Sequence, residues 1–433
     1  MSDTAPEGWH VKLEEKWWGY RLHLSAPVVE AIEETNEYLD PVHFVLATIE
    51  NEPIGWAIEA YLVSEALLMG LEKNDKGVVL NASWLAIFVI VPTPGEIDWN
   101  DAAAVHTPTV DPRSIDTSAE GTKLRWSVFD GTRWGPEVAF PLDNVHSSGV
   151  AAAVYQDSLY CVHRGGGSDT TLYWSRFDLN ATGPGQKGVL KNQQLPGQRS
   201  WNRPALTVHD DGLLHCVYRS ADESADLYET TFDGTAWSSA QAIKGQRSWT
   251  VPALVSAGGV LHCVYRSADD SGTLYRTIRN EGTWQPAEPL HAEGVPTSYW
   301  STDTPPCVAV LVEDFDARLY CAFTDKDSQE LWFSSTRVWQ DDWSAPEKIS
   351  GHRTSTGAGI ASWATPEGPS AVLAVSEAMN NTALGWSELS PDGDVRGPFA
   401  LSDLTNRSAP VLVPFHPVND ELSTQVMCLH MAD

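Results

Sequence analysis

The chain has 433 residues, which is too long for one ordinary hydrophobic core, so we expect two or three domains. Its formal net charge of −30 argues against a nucleic-acid partner, because a phosphate-binding surface needs an excess of Lys and Arg. The same charge disfavours docking on anionic membranes and is typical of a highly soluble protein.

The first hundred residues predict a small α+β domain with the element order β-α-α-β. Residues 8–25 are typical of a strand, residues 26–39 and 53–73 of two helices, and residues 77–91 of a second strand. The most apolar part of the second helix carries two glutamates. Those charges favour a buried helix over a stable membrane span.

Residues 92–101 predict the connection between two domains, which we place at residues 1–100 and 101–433. The chain contains no HExxH, GxSxG, Walker A or dinucleotide-binding motif. Docking to a protein partner or oligomerisation is therefore the candidate role of the first domain. Its first ten residues contain neither the basic nor the apolar region of a signal peptide. We expect a cytoplasmic protein, or one released without a signal peptide.

The second domain contains a sequence repeat. The nine residues LHCVYRSAD occur at 214–222 and again at 261–269, so the two copies begin 47 residues apart. Around the first copy, residues 200–243 predict four short strands separated by the turn HDDG, the loop SADESA and the turn DGT. Repeat units of this length with four antiparallel strands are typical of the blades of a β-propeller.

The number of repeat units predicts a mainly β, six-bladed propeller. Five full units begin near Ser147, Ser200, Ser248, Ser301 and Ser355. The sixth blade is predicted to be composite, with its two inner strands from residues 408–433 and its two outer strands from residues 113–140. A blade shared by the two ends of the ring closes it and removes its open sheet edges.

The cysteines follow the repeat. The positions that share one place in the unit are Cys161, Cys216, Cys263, Cys321 and Cys428. In the fifth unit Ala374 has this place, which indicates a small buried apolar residue rather than a disulfide. Because no CxxC pair occurs, we expect no zinc site, and no motif predicts a cofactor.

One face of the propeller is predicted to carry the binding residues. In a four-stranded blade, the loop between strands two and three lies on the same face as the link to the next blade. The loops provide the pairs Arg164…Asp169, Arg219…Asp222 and Arg266…Asp269. The links provide Arg199, Trp201, Arg247, Trp249 and Trp300.

Two interpretations of this face remain open. The arginine and aspartate side chains could pair with each other and tie neighbouring blades together. Alternatively, they could bind a sugar, because planar charged groups bond adjacent hydroxyls and a tryptophan ring stacks on the apolar face of a pyranose. Three tryptophans at predicted equivalent links favour carbohydrate binding for the group as a whole.

The repeat units resemble two known families. LYETTFDGTAWS and FDGTRWGPE are similar to units of bacterial sialidase-like propellers and of fucose-binding propeller lectins. The similarity covers about residues 105–433, and the DGTxW turn is similar to the Asp-box of sialidases. That turn lies on the face opposite the sugar site in the family, so it supports the fold and says little about chemistry.

The fucose-lectin resemblance implies a site made of an Arg, a Glu on the following strand and a Trp from the next blade. Blade two matches with Arg219, Glu229 and Trp249, whereas blade three has Arg276 and blade one has Trp174 at the glutamate position. The residues predicted to bind a glycan ligand are therefore Arg164, Asp169, Arg199, Trp201, Arg219, Asp222, Glu229, Arg247, Trp249, Arg266, Asp269 and Trp300.

Two other classes of function stay open. A sialidase-like glycosidase would need three arginines around a carboxylate, but the Phe/Tyr-Arg-Ile-Pro element of that family is absent, with NRPA (202–205) the nearest match. The repeats are also almost equal, whereas a single catalytic centre normally breaks such symmetry. We therefore expect a lectin-like carbohydrate-binding protein with several equivalent sites between its blades, rather than an enzyme. A non-catalytic protein-interaction or toxin-associated scaffold is the third class.

Overall fold

The computed structural model describes five parts of the chain: residues 10–16, 19–34, 78–83, 91–94 and, with gaps, 123–432. The gaps are 157, 179–189, 281, 314–315, 366–367, 377–383, 403–407 and 416–424. The chain divides into two compact units, Met1–Thr109 and Val110–Asp433. The second helix predicted at 53–73 lies outside the described residues.

The first unit contains a four-stranded antiparallel sheet with the order β1-β2-β3-β4 and one described helix. Its elements are β1 (Val11–Lys16), β2 (Gly19–Leu24), α1 (Ala26–Glu34), β3 (Val78–Ser83) and β4 (Val91–Pro94). The single strand predicted at 8–25 is a hairpin, since β1 pairs with β2 from Val11↔Leu24 to Lys16↔Gly19. The β4 strand reaches into the stretch predicted as a connection, where its residues pair with β3.

Helix α1 is amphipathic. Val28, Val29 and Ile32 are buried and lie within one turn of each other, which is the spacing of a single helix face. The helix follows Ser25, whose side-chain oxygen accepts a hydrogen bond from the backbone N–H of His10 at 3.0 Å. In the part of the chain that the structure describes, no helix has the length and apolar character needed to cross a membrane.

The second unit is a six-bladed β-propeller, as predicted. Its first three blades are antiparallel sheets in chain order. They are made of β7 (Val145–Tyr155), β8 (Ser158–Gly165), β9 (Thr171–Asp178) and β10 (Leu190–Arg199); β11 (Ala205–Val208), β12 (Leu214–Arg219), β13 (Asp226–Phe232) and β14 (Gln241–Arg247); and β15 (Ala253–Ala257), β16 (Val260–Arg266), β17 (Leu274–Asn280), β18 (Thr283–Trp284) and β19 (Glu288–Pro289). In blade three the outer strand is interrupted, so β18 and β19 both pair with β17.

Blades four and five repeat the same arrangement, and the sixth blade is composite. They are made of β20 (Cys307–Glu313), β21 (Asp316–Thr324), β22 (Glu330–Arg337) and β23 (Glu347–Arg353); β24 (Ala358–Thr365), β25 (Gly368–Ser376), β26 (Leu384–Leu389) and β27 (Val395–Ser402); and β28 (Val411–Phe415), β29 (Gln425–Met431), β5 (Leu124–Phe129) and β6 (Val138–Ala139). The predicted composite blade is confirmed, because β29 pairs with β5 through Cys428↔Ser127.

The first strands of the six blades contact one another in a closed circle, from β7 through β11, β15, β20, β24 and β28 back to β7. The core lies between consecutive blades. Between blades two and three, Val217, Leu227 and Ile243 pack against Cys263 and Tyr265. Strands β12 and β16 are buried along their whole length because each packs against the neighbouring blades on both sides.

The prediction for the repeated cysteines is confirmed. Cys161, Cys216, Cys263, Cys321 and Cys428 are all free and fully buried in the second strands. Burial raises the pKa of each of these thiols, so they stay protonated and act as apolar packing groups.

The DGT turn joins the third and fourth strands. In blade two, Asp233 accepts hydrogen bonds from the backbone N–H groups of Ala236 and Thr235 at 2.8 and 2.7 Å, which lowers its pKa. Gly234 has a φ of +93°, a backbone conformation that glycine adopts without strain. The backbone of this turn therefore accounts for its Asp and Gly, which have a local structural role.

Candidate binding site in the inter-blade crevices

The loop between strands two and three and the link to the next blade lie together, as predicted. The backbone N–H of Ser200 donates to Thr170 at 2.8 Å, and that of Ser248 donates to Ala225 at 2.9 Å. At the next boundary, Thr302 takes the same position. We name the three clefts formed there by their principal residues. They are the first crevice (Arg164, Trp201), the second crevice (Arg219, Trp249) and the third crevice (Arg266, Asp303).

In the first crevice the protein satisfies every nitrogen of the Arg164 guanidinium. Its Nε donates to the backbone oxygen of Asp169 at 3.0 Å, and Nη2 donates to that of Gly167 at 3.1 Å. Its Nη1 donates to the backbone oxygen of Trp201 at 3.0 Å and contacts His146 Nε2 at 2.9 Å. This arginine thus ties blade one to the link that follows it.

In the third crevice the Arg266 guanidinium is also satisfied, and one of its partners is a carboxylate. Its Nε donates to the Thr302 backbone oxygen at 2.9 Å, and Nη1 donates to those of Ser267 and Asp269 at 2.8 and 3.1 Å. Its Nη2 forms an ion pair with Asp303 Oδ1 at 3.0 Å. The link into blade four therefore closes this crevice.

The second crevice is different. Among the residues that the structure describes, Arg219 has no hydrogen-bond acceptor and no ion pair, although only 5% of it is exposed. Its Cζ lies 4.6 Å from the ring centroid of Trp249 and 5.8 Å from that of Trp201. Burial lowers the pKa of Arg219, and the charge of Asp222 offsets this only in part.

The two indole rings that contact Arg219 remain open to solvent. Trp249 is 42% exposed and Trp201 is 52% exposed, which is unusual for such large apolar side chains. The centroid of Trp201 also lies 5.8 Å from Cζ of Arg164, so the ring contacts the arginines of two crevices. The second crevice therefore offers an unsatisfied planar cation beside two accessible aromatic faces.

The aspartates of the repeated loops have a structural role. Asp222 Oδ1 accepts hydrogen bonds from Ser220 Oγ at 2.7 Å and from the backbone N–H and Oγ of Ser224 at 3.1 and 2.6 Å. Asp269 has the same three bonds in blade three. Asp169 accepts from the Thr171 backbone and the Tyr173 hydroxyl. These carboxylates fix the shape of the loop and do not pair with their arginines.

The expectation that Trp300 forms part of an exposed site is wrong. Trp300 is completely buried, at the end of a 3₁₀ turn (Thr297–Trp300). By its backbone hydrogen bond, Thr302 corresponds to Ser200 and Ser248, so Asp303 corresponds to Trp201 and Trp249. Trp300 instead occupies the place of the buried Gln198 and Gln246.

Two predicted arginines lie at the outer edge of their blades. Arg247 is exposed at the end of β14, where its Nε donates to the Ser224 backbone oxygen at 2.5 Å and lies 3.6 Å from Asp226 Oδ1. Arg199 is exposed at the end of β10, in register with Thr171. Arg247 thus holds the loop of its own blade.

Glu229 does not stand beside Arg219 in the register of the sheet. It is opposite Val217, whereas Arg219 is opposite Leu227. Its Oε1 is 2.7 Å from His215 Nδ1, and its Oε2 accepts from Trp284 Nε1 at 2.9 Å. Both carboxylate oxygens are therefore engaged within a contact between blades two and three.

Glu229 belongs to a network of four charged groups, of which His215 and Glu229 are buried and Asp211 is exposed. His215 Nε2 is 3.1 Å from Asp211 Oδ2, and Arg279 of blade three lies 3.3 Å from Asp211 and 3.4 Å from Glu229. Burial alone would lower the pKa of His215, but its hydrogen bonds to the two carboxylates outweigh burial and raise it. The same bonds hold the pKa values of Asp211 and Glu229 below their ordinary values despite burial.

These pKa shifts predict the pH dependence of stability. The raised pKa of His215 stabilises the fold below its ordinary pKa of 6.5, and this contribution is lost as the pH rises through the folded value. The lowered pKa of Glu229 stabilises the fold above its ordinary 4.5, and this contribution is lost on acidification. The network should therefore contribute most between these two values.

Thermal unfolding of the native protein and of His215→Gln across this pH range checks the prediction. The difference in Tm between the two proteins should shrink as the pH rises above the folded pKa of His215. A difference that stays constant from acid to alkaline pH would show that His215 carries no charge in the fold.

The residues that the structure describes include no group of His, Cys, Asp and Glu side chains able to hold a metal ion.

The sequence does not distinguish the unsatisfied Arg219 from Arg164 and Arg266, because all three occupy the same repeat position. The sequence does carry a signal for the true equivalent of Trp249. When the repeats are aligned on the prolines that precede their first strands, Pro252 and Pro306, Asp303 aligns with Trp249.

No protein-family model and no curated protein matches the sequence of this chain. Similar solved structures exist. A triple arginine-to-alanine mutant of AofleA from Arthrobotrys oligospora has a TM-score of 0.52 at 12% identity, covering 74% of this chain and 87% of its own. The SapL1 lectin in complex with alpha methyl fucoside has a TM-score of 0.45 at 14% identity, covering 63% and 86%.

A GH43_1 enzyme from Xanthomonas citri complexed with xylotriose has a TM-score of 0.41 at 11% identity, covering 61% of this chain and 94% of its own. At these identities the likeness to AofleA extends to the fold alone, and the lower scores of the other two carry no argument. The fold therefore defines this chain as a β-propeller protein. Its resemblance to sialidase-like propellers stays a prediction from the sequence motifs.

Proposed function

We propose that this chain is a carbohydrate-binding propeller that binds a glycan in the second crevice and performs no catalysis. The observation that supports this proposal is the Arg219 guanidinium, which packs against Trp201 and Trp249 and has no acceptor among the described residues. A sugar suits this arrangement because its hydroxyls accept hydrogen bonds from a planar cation while its apolar ring face stacks on an indole.

The proposal has one principal site for each chain rather than several equivalent ones. Arg164 already donates from all three of its nitrogens, and Arg266 is paired with Asp303. A ligand in either of those crevices would have to replace protein hydrogen bonds, whereas a ligand at Arg219 would form new ones. In this proposal residues 1–100 act as a docking or oligomerisation module.

A glycan array with the full-length chain tests the proposed function. The double variant Trp201→Ala/Trp249→Ala should bind its glycan about five- to 150-fold more weakly, because each stacked ring contributes about 0.5–1.5 kcal/mol. Titration calorimetry of an array hit should give about one site per chain, because the protein already provides the hydrogen-bond partners of Arg164 and Arg266.

The matched control is Trp339→Ala, which removes a tryptophan that is 66% exposed in blade four, outside the three crevices. Its binding should equal that of the native chain. Equal loss in the control and the double variant would place the site elsewhere, and a blank array from the folded native chain would refute carbohydrate binding.

A further inference from the structure

We propose that the group bound by Arg219 is a carboxylate, so that the ligand of the second crevice is an acidic sugar such as a uronic acid. This inference rests on the proposed carbohydrate function and narrows it to one chemical class. It starts from the comparison of three arginines that share one position in three consecutive blades.

The third crevice shows what the protein itself places against this arginine. Asp303 stands at the chain position of Trp249, and its carboxylate pairs with Arg266 Nη2 at 3.0 Å. Where the link provides an aspartate, the carboxylate is internal. In the second crevice the link provides Trp249 instead of an aspartate, no acceptor for Arg219 is found among the described residues, and an aromatic surface takes the place of the carboxylate.

Among the described residues, the second crevice has no carboxylate that is free to pair with Arg219. Asp222 is committed to Ser220 and Ser224 through three hydrogen bonds to Oδ1. Glu229 is opposite Val217, two residues from Arg219 along β12, and it is bonded to His215 and Trp284. Within the described residues, the positive charge at this position therefore lacks a direct counter-charge.

A buried charge is stable in proteins when it is paired, so the second crevice is complementary to an anion. None of the three nitrogens of Arg219 has a hydrogen bond within the described residues; Nε is buried, and the two terminal nitrogens are left for a ligand. A carboxylate accepts two parallel bonds from such a fork, and these are about twice as strong as bonds to neutral groups.

The rings of Trp201 and Trp249 determine which carboxylate fits. Together they give the ligand apolar surface beside the cation, which suits a pyranose that carries its carboxylate on the ring. The net charge of −30 repels anions at long range, but at physiological salt this repulsion decays over about 8 Å. Selectivity therefore depends on contacts within the crevice.

The test uses the full-length chain and glycans that bind on the array. Each acidic hit is compared with the same glycan after its carboxyl group has been reduced to a hydroxymethyl group. Reduction should weaken binding at least about tenfold, because it removes the charge-assisted pair of bonds to Arg219. Array members that carry uronate or sialate distinguish the two sources of a sugar carboxylate.

The variant Arg219→Gln should bind the acid and its reduced form equally, and the control Arg353→Gln should keep the native preference. Arg353 is exposed at the end of β23, where it donates to the Ser328 backbone oxygen. Hits among neutral glycans, or unchanged affinity after reduction, would overturn the carboxylate inference and leave carbohydrate binding standing. An array without hits would overturn both.

Discussion

Replacing Glu229 with alanine is expected to lower the free energy of unfolding by about 3 kcal/mol, the lower end of the usual cost of breaking a buried ion pair from one side. The substitution removes one of the two carboxylates that pair with His215 and Arg279, leaving them only Asp211, and it leaves the Trp284 N–H without its acceptor. Because these partners come from blades two and three, the loss acts on the contact between blades.

Urea denaturation of the full-length chain measures this loss. The matched control is Glu223→Ala, which removes an exposed glutamate from the loop of the same blade and should change the free energy of unfolding by less than about 0.5 kcal/mol. If Glu229→Ala were as stable as this control and had lost glycan binding, Glu229 would return to the binding site that the fucose-lectin resemblance implies.

The propeller was predictable because its information is repeated and local. Cys161, Cys216 and Cys263 mark the second strand of successive blades, and a small buried residue is needed there each time. The composite blade followed from two half-units at opposite ends of the domain, which can pair only if the ring closes. The first unit has no such repeat, so nothing in its sequence marks the turn that divides the predicted first strand into the hairpin of β1 and β2.

The site was predicted less well because its chemistry depends on contacts that the repeat does not encode. Arg164, Arg219 and Arg266 have the same place in sequence, but their acceptors come from the links that follow them. The aromatic residue expected at the position of Asp303 is Trp300, three residues earlier in the chain, and Trp300 belongs to the core. Sequence can therefore locate the crevices, but which of them is open depends on three-dimensional pairing.

The second prediction with a large expected effect compares Arg219 and Arg266, which occupy the same position in the sequence repeat. Arg266→Met should lower the free energy of unfolding by about 3 kcal/mol, because it removes bonds to three backbone oxygens and the ion pair with Asp303. Arg219→Met should change it by less than about 1 kcal/mol, since a methionine loses the contact with the indoles but no longer buries an unpaired charge.

Denaturant unfolding of the two variants beside the native chain decides between the two roles first considered for this face. An arginine that ties blades together contributes to stability whether or not a ligand is present. An arginine held without acceptors contributes little to the fold, so its burial is explained by what it binds. If Arg219→Met were as destabilising as Arg266→Met, Arg219 would be a structural tie, and the second crevice would lose the feature on which glycan binding is proposed.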